Sequence, residues 1–287
     1  MARIGIIGGS GLYKIEGIKK LAEKRVSTPF GYPSDKIVIG EFNGVEIAFL
    51  PRHGIGHKVN PSQINYRANI FAMKKIGVER IISLSACGSL KEELKPMDFV
   101  LPDQFVDRTN QARKMTFLSD GIVGHISFAY PTCLDLSKTI YNSAKSLGLN
   151  IHLGGTYLNM EGPAFSTKAE SKLYRSWGMD VIGMTNMAEA RLAREAEICY
   201  STLTAVTDYD CWHESHDSVT GDMIIEYFNK NIENTKKLIK ETISKVSLQR
   251  TCPCKDALKY ALFTSKDVIP KKVKKDLGII LGKYLGK

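Results

Sequence analysis

Ile198-Cys199-Tyr200-Ser201-Thr202-Leu203-Thr204-Ala205-Val206, running on into Thr207-Asp208-Tyr209-Asp210-Cys211-Trp212, is the stretch on which the fold turns. Its apolar, β-leaning first part predicts a buried strand. Asp208 and Asp210 stand two residues apart at the C-terminal end and point the same way if the extended conformation continues. In an open α/β sheet that end is where ligands bind. Paired carboxylates in a partly dry site have their pKa values pushed apart, which leaves one protonated as an acid. A competing reading has both acids opening a surface loop or capping a following helix. The rest of the chain decides between the two.

A chain of 287 residues can bury a sizeable core. Met1-Ala2-Arg3-Ile4 enters a strand at once, leaving no room for a signal peptide, and no apolar run is long enough to span a bilayer. The expectation is a cytoplasmic protein. A net charge of +10 favours anionic partners. Much of the excess lies between Lys255 and Lys287, where nine lysines face only Asp256, Asp267 and Asp276. No aromatic residues interleave a basic face there, as a nucleic-acid stacking platform requires. A solvated, lysine-rich helical face is expected, with neither nucleic acid nor membrane as partner.

Six cysteines stand at 87, 133, 199, 211, 252 and 254. Cys252-Pro253-Cys254 is the one close pair, and the lack of a second pair at zinc-ligand spacing speaks against a structural metal site. A redox pair at Cys252 and Cys254, or a disulfide from Cys133 to Cys199, stays open.

Arg3-Ile4-Gly5-Ile6-Ile7 reads as a buried strand, followed by a tight turn, Gly8-Gly9-Ser10-Gly11, whose backbone donors and serine hydroxyl suit an anion. The turn lacks the G-x-G-x-x-G spacing of a dinucleotide fingerprint. Further strands are expected near 36–42 and 45–50, the second leading into Pro51-Arg52-His53-Gly54. Arginine beside histidine offers a charged fork and a titratable donor to phosphate. Asn60-Pro61 predicts a helix start, with Gly77 as its end. Val78 to Leu84 is a strand that empties into a small-residue turn, Ser85-Ala86-Cys87-Gly88-Ser89. Phe99 to Leu101 is another strand, residues 103–119 are polar, and His125 lies in a loop. A helix from Leu136 closes at Gly148, a strand over Thr156 to Met160 ends in Glu161-Gly162-Pro163, and Thr167-Lys168-Ala169-Glu170 is a capping box. Asp180 to Met184 is a strand presenting Thr185, and a short helix follows over Ala188 to Glu197. After Trp212, a polar stretch with His213 and His216 leads into a long amphipathic helix.

Without internal repeats or a linker, this alternation predicts a single α/β domain with a central mixed β-sheet flanked by helices. Residues 1–250 would form the catalytic domain, and 251–287 a basic helical extension packed on it. Strand ends gather a phosphate half (the loop glycines, Ser10, Arg52, His53, Ser85, Thr185) and an acid half (Asp208, Asp210).

As a set, these motifs resemble the 5′-methylthioadenosine phosphorylases of the trimeric purine nucleoside phosphorylase superfamily. The match rests on Ile4-Gly5-Ile6-Ile7-Gly8-Gly9-Ser10-Gly11, Thr28-Pro29-Phe30-Gly31, Arg52-His53-Gly54 and Asn65-Tyr66-Arg67-Ala68-Asn69-Ile70. Ala86-Cys87-Gly88-Ser89-Leu90, Glu161-Gly162-Pro163, Met184-Thr185 and the opening hexapeptide complete it, in the family's order from about residue 3 to 245. The resemblance implies a purine nucleoside phosphorylase-like fold and phosphate binding by Ser10, Arg52, His53, Ser85, the Ala86 backbone and Thr185. It implies Met184 along the ribose, Phe165 near the purine or sugar, and Asp208 and Asp210 facing N7 and the 6-amino group of adenine. His125 would come from a neighbouring subunit of a trimer, or of a dimer of trimers, to close over the 5′-methylthio group. Gly221 stands where some relatives carry a valine. Inorganic phosphate would be co-substrate, with no metal or organic cofactor. The alternatives are a broad purine nucleoside phosphorylase acting on adenosine, inosine or guanosine and, more remotely, a non-catalytic nucleotide- or nucleic-acid-binding protein.

Overall fold

A computed structural model describes residues 3–9, 17–213, 221–247 and 249–286. The stretch quoted first forms β11 (Cys199–Asp208), buried at every position, as a strand covered on both faces must be. It lies parallel to the equally long β5 (Arg80–Ser89), in register from Cys199 opposite Arg80 to Asp208 opposite Gly88, with an irregularity between Val206 and Asp208. On its far side come β6 (Phe99–Leu101), antiparallel, and then β8 (Ile151–Leu153).

The other edge of β5 carries two partners in succession. β1 (Ile4–Gly8) runs parallel to residues 80–83, with β4 (Val45–Pro51), β3 (Ile37–Phe42) and β2 (Lys19–Lys24) stacked beyond it. β10 (Val181–Gly183) then takes Gly88 and Ser89 antiparallel, followed by β9 (Thr156–Met160) and β7 (Gln104–Arg108). The result is one mixed sheet of eleven strands among the described residues. Between Ser83 and Gly88, β5 has no register partner on that edge among the described residues. The sheet splits there, and the backbone of Ser85 and Ala86 lies in the split. The small residues expected to form a turn thus continue the strand, because β11 pairs with them along the opposite edge.

Helices cover both faces. α1 (Tyr66–Lys75), α4 (Asn186–Glu195) and α7 (Gly278–Leu285) bury Phe71, Ala72, Leu192, Ile280 and Leu281 in one core. α2 (Leu134–Ser146) and α5 (Gly221–Lys245) bury Leu136, Ile140, Leu238, Ile239 and Ile243 against the other face. α3 (Lys168–Ser176) begins with the expected capping box between Thr167 and Glu170 and packs Tyr174 beside Leu158 and Ile182. The chain after residue 250 adds Leu258, Ala261, Ile269 and Leu277 to the α1–α4 core. α6 (Lys271–Asp276) buries none of its residues, as a solvated lysine-rich face predicts. Among the described residues, no helix is long and apolar enough to cross a membrane.

One helix start is displaced. Asn60 caps only a 3-10 turn, Pro61–Gln63; Ile64 then turns extended, and Asn65 begins α1 afresh by accepting from the Ala68 N–H. β2, β7 and β8 lie outside the strands expected from the sequence. β2 is a charged edge strand with five exposed residues, so no apolar alternation marks it.

Candidate active site

β4 delivers Arg52 and His53 beside the end of β1, where the Arg52 N–H donates to Gly8 O at 2.9 Å. Arg52 is buried. Its Nε and Nη2 donate to the two carboxylate oxygens of Glu189 at 2.5 and 3.1 Å, Nη2 also to Ser83 Oγ at 2.6 Å, and Nη1 to Leu84 O at 2.8 Å. Among the described residues, one of the five guanidinium N–H groups, on Nη1, has no acceptor. Burial works against the charge, but the Glu189 carboxylate outweighs it and holds the guanidinium above its ordinary pKa. Glu189 is itself wholly buried on α4 and also accepts from Ser83 Oγ and Tyr200 OH. Asn186, in the first turn of α4, donates to Ser83 Oγ and Thr202 Oγ1. One buried network therefore ties the end of β4 and the middle of β5 to the first half of α4. Thr185 sits at that start as the N-cap residue, buried.

His53 Nδ1 lies 2.8 Å from Val59 O, and the ring stacks on His57 at 4.1 Å. A carbonyl only accepts, so Nδ1 carries the proton, and in the neutral ring Nε2 is an acceptor. Burial, then the Arg52 charge, lowers the imidazole to about 4. His53 is therefore suited to accept a hydrogen bond from a protonated anion, not to serve as a second cation. Ser85 Oγ is buried with no hydrogen-bond partner among the described residues, on the stretch of β5 that borders the split. Ser10 lies outside the described residues.

The acids converge, though not by strand geometry. β11 ends at Asp208, and Asp210 occupies the left-handed region at φ 51°, so the extended alternation stops. The turn bends Asp210 back until its N–H donates to Asp208 Oδ1 at 2.8 Å, while Thr207 Oγ1 donates to Oδ2 at 2.7 Å. Gly88 makes room for the pair: a Cβ there would stand 2.8 Å from Asp208 Oδ1 and 3.4 Å from Asp210 Cβ. Both acids are buried. Burial raises the Asp208 carboxyl to about 6, against the lowering by its Thr207 and Asp210 N–H bonds. Burial also raises Asp210, where the Ser171 and Ser166 hydroxyls pull the other way. Trp212 anchors the turn by donating Nε1–H to Ser89 O at 2.8 Å, with Arg175 stacked 3.5 Å above its ring.

Met184 follows directly on β10, and its side chain lies against Gly162, where an added Cβ would clash with the sulfur. Its carbonyl accepts from Arg113 and from Asn159 Nδ2. Arg113, buried within a stretch expected only to be polar, also pairs with Glu161. Phe165 is 45% exposed on the loop before α3. His125 stands apart from the other candidates. It is exposed, its N–H donates to Ala261 O at 2.8 Å, and its ring meets Phe263 edge-on at 4.9 Å. Glu189 and Arg113 escape motif reading. For Glu189 the available signal is a carboxylate embedded in Met187-Ala188-Glu189-Ala190, apolar on both sides.

A buried guanidinium, an unpartnered serine hydroxyl and two raised carboxyls, gathered along one split in the sheet, are the groups that a group-transfer site would use. The family model described as "Phosphorylase superfamily" matches residues 3–244, and the chain belongs to that superfamily. It is 54% identical to the S-methyl-5'-thioadenosine phosphorylase of Geobacter sulfurreducens over 98% of this chain and 99% of that one. It is likewise 54% identical to that of Koribacter versatilis over 99% and 97%. An alignment of that span takes in the segment after residue 245, which the recognised motifs do not reach. Among solved structures, a methylthioadenosine phosphorylase from an antarctic soil metagenomic library superposes with a TM-score of 0.93 at 46% identity, covering 98% of this chain and 99% of the other. The methylthioadenosine phosphorylase of Schistosoma mansoni in complex with adenine superposes at 0.84 with 31% identity, covering 98% of both.

Proposed function

We propose that the protein catalyses phosphorolysis of 5′-methylthioadenosine to adenine and 5-methylthioribose 1-phosphate. The observation that carries this reading is Asp208, a buried carboxyl raised to about 6 and held beside Asp210, paired with Gly88 three residues along β5 from the unpartnered Ser85 hydroxyl. Phosphate is held by the remaining Arg52 donor, Ser85 Oγ, the Ala86 backbone, Thr185 and the Ser10 loop, with His53 Nε2 accepting the hydrogen of a protonated phosphate oxygen. That positions a phosphate oxygen to form a bond to C1′ as the C1′–N9 bond breaks. The electron pair of the broken bond passes into the purine. Asp208 delivers its proton to N7, and Asp210 accepts from the 6-amino group. Adenine would otherwise leave as an anion, so the acid contributes typically ~10²–10⁴-fold. Phosphate is a co-substrate, and the reaction as drawn calls on no organic cofactor.

Met184, held against Gly162, lies along the ribose, with Phe165 near the purine. His125 is assigned to the site of a neighbouring subunit in a trimer or dimer of trimers. This accords with its exposure beside the exposed Phe263 and Tyr260, an apolar patch suited to a subunit contact. The cytoplasm is the compartment assigned. Selectivity is tested by initial rates of base release from methylthioadenosine, adenosine and inosine at saturating phosphate. Methylthioadenosine should give the highest kcat/KM. A higher value on inosine would replace this reading with a broad purine nucleoside phosphorylase.

Gly88→Ala gives a second check. The added methyl must push Asp208 aside, and a misplacement on the order of 1 Å costs about 10²-fold in rate. Far-ultraviolet circular dichroism should be unchanged while kcat/KM falls by about that factor. An unaffected rate would separate Gly88 from the acid pair.

A further inference from the structure

The fold gathers four of the six cysteines at one point. Cys133 precedes the first turn of α2, Cys199 opens β11, and Cys252 and Cys254 flank Pro253 at the start of the 3-10 turn Pro253–Asp256. All four are buried, and their sulfurs lie within 4.8 Å of one another, with Cys199 Sγ 3.2 Å from Cys252 Sγ. Sequence spacing argued against a metal because only one close pair exists; the fold supplies the other two sulfurs from positions far away in the chain.

We propose that Cys133, Cys199, Cys252 and Cys254 form a structural tetrathiolate site for a soft divalent cation, zinc above all. A zinc–sulfur bond of about 2.3 Å in a tetrahedron places its sulfurs about 3.8 Å apart, and the four thiols need to move little to reach that spacing. Two disulfides would instead divide the sulfurs into pairs at about 2.05 Å, whereas the four form one clump. The ligands are pre-placed. The Cys133 N–H is fixed to Tyr200 O at 2.7 Å, the Cys199 N–H to Glu79 O at 3.0 Å, and Pro253 restricts the backbone between the last two. Binding exchanges four S–H bonds for four metal–sulfur bonds and releases four protons to solvent, so the loaded centre carries a net charge of −2.

The surroundings suit that charge. The thirteen-residue α2 points its N-terminus at Cys133 with no side-chain cap. Arg80, the register partner of Cys199, is buried, and its Nη2 donates to Gln249 O, three residues before Cys252. Its Nη1 lies 3.8 Å from Glu79 and makes no hydrogen bond among the described residues. The centre would fasten the segment after residue 250 to the sheet, and with it Ala261, the residue that holds His125.

The test takes the full chain, purified without chelator or oxidant, and measures zinc by elemental analysis beside the mass of the unreduced, alkylated, denatured chain. About one zinc per chain is expected, with all six cysteines alkylated once the metal is removed. Cobalt substitution should give the intense visible bands of a tetrahedral thiolate centre. Cys252→Ser should lower bound zinc to less than about a tenth of that level. If that variant does not fold, zinc titration of the reduced, metal-free wild type decides, because uptake with concurrent loss of four reactive thiols is required. A metal-free chain that lacks two alkyl groups per bridge relative to the fully alkylated one would overturn the proposal in favour of disulfides. Six free thiols that take up no zinc would overturn it outright.

Discussion

Asp208→Asn lowers the turnover of methylthioadenosine by about 10²–10⁴-fold and moves preference towards 6-oxopurine nucleosides. An amide presents a donor to N7 but no transferable proton, and its remaining N–H suits an oxo group better than an amino group. The wild-type pH profile carries the same signature. The acid is competent while protonated, and burial places its pKa at about 6, so kcat/KM falls as pH rises past that value and the Asn variant lacks this limb. Stability falls in the same direction, over a lower pH range. Because the carboxyl is raised, the native chain keeps a proton that the unfolded chain has lost, and stability falls as pH rises through about 4 to 6. Holding the ionised group in place at neutral pH costs about 3 kcal/mol, so the Asn variant, which has no charge to bury, is more stable than wild type by up to that amount. Urea denaturation at pH 4.5 and 7.5 checks it. The advantage of the variant must grow with pH, and an advantage that is absent or shrinks contradicts the assignment.

Arg52→Ala has the second large effect, through two separable routes. It strands the fully buried Glu189 without its cation, and breaking a buried pair in this way costs about 3–5 kcal/mol. It also removes the guanidinium from the phosphate cradle, so the KM for phosphate rises more than that for nucleoside. Adding Glu189→Gln to Arg52→Ala separates the routes, because stability should return in large part while phosphate affinity does not. Equal weakening of phosphate and nucleoside would remove Arg52 from the cradle. Unchanged stability would mean the pair does not support the fold.

Much of this site is legible in the chain because strands announce their own ends. The run from Ile198 to Val206 is apolar enough to require burial, and the acids follow it directly. Thr167 and Glu170 announce α3 by a local reciprocal bond, which needs no tertiary context. What is not legible is what distant residues do to each other. Ser85 to Ser89 has turn composition, yet pairing with β11 holds it extended along the split where the proposed phosphate site lies. Asp210 approaches Asp208 through a left-handed turn that the spacing of the two residues does not disclose. Glu189 meets Arg52 across 137 positions, and the four cysteines meet from three elements. No local pattern carries either contact. β2 stayed hidden for the opposite reason: an exposed, charged edge has no apolar period to read.

The measurement that bears most directly on the central claim follows both products of methylthioadenosine cleavage, with and without inorganic phosphate. Adenine is quantified by absorbance and the sugar by phosphorus NMR. Equal amounts of adenine and 5-methylthioribose 1-phosphate, formed only when phosphate is present, are predicted. Adenine released without phosphate, accompanied by free 5-methylthioribose, would contradict phosphorolysis.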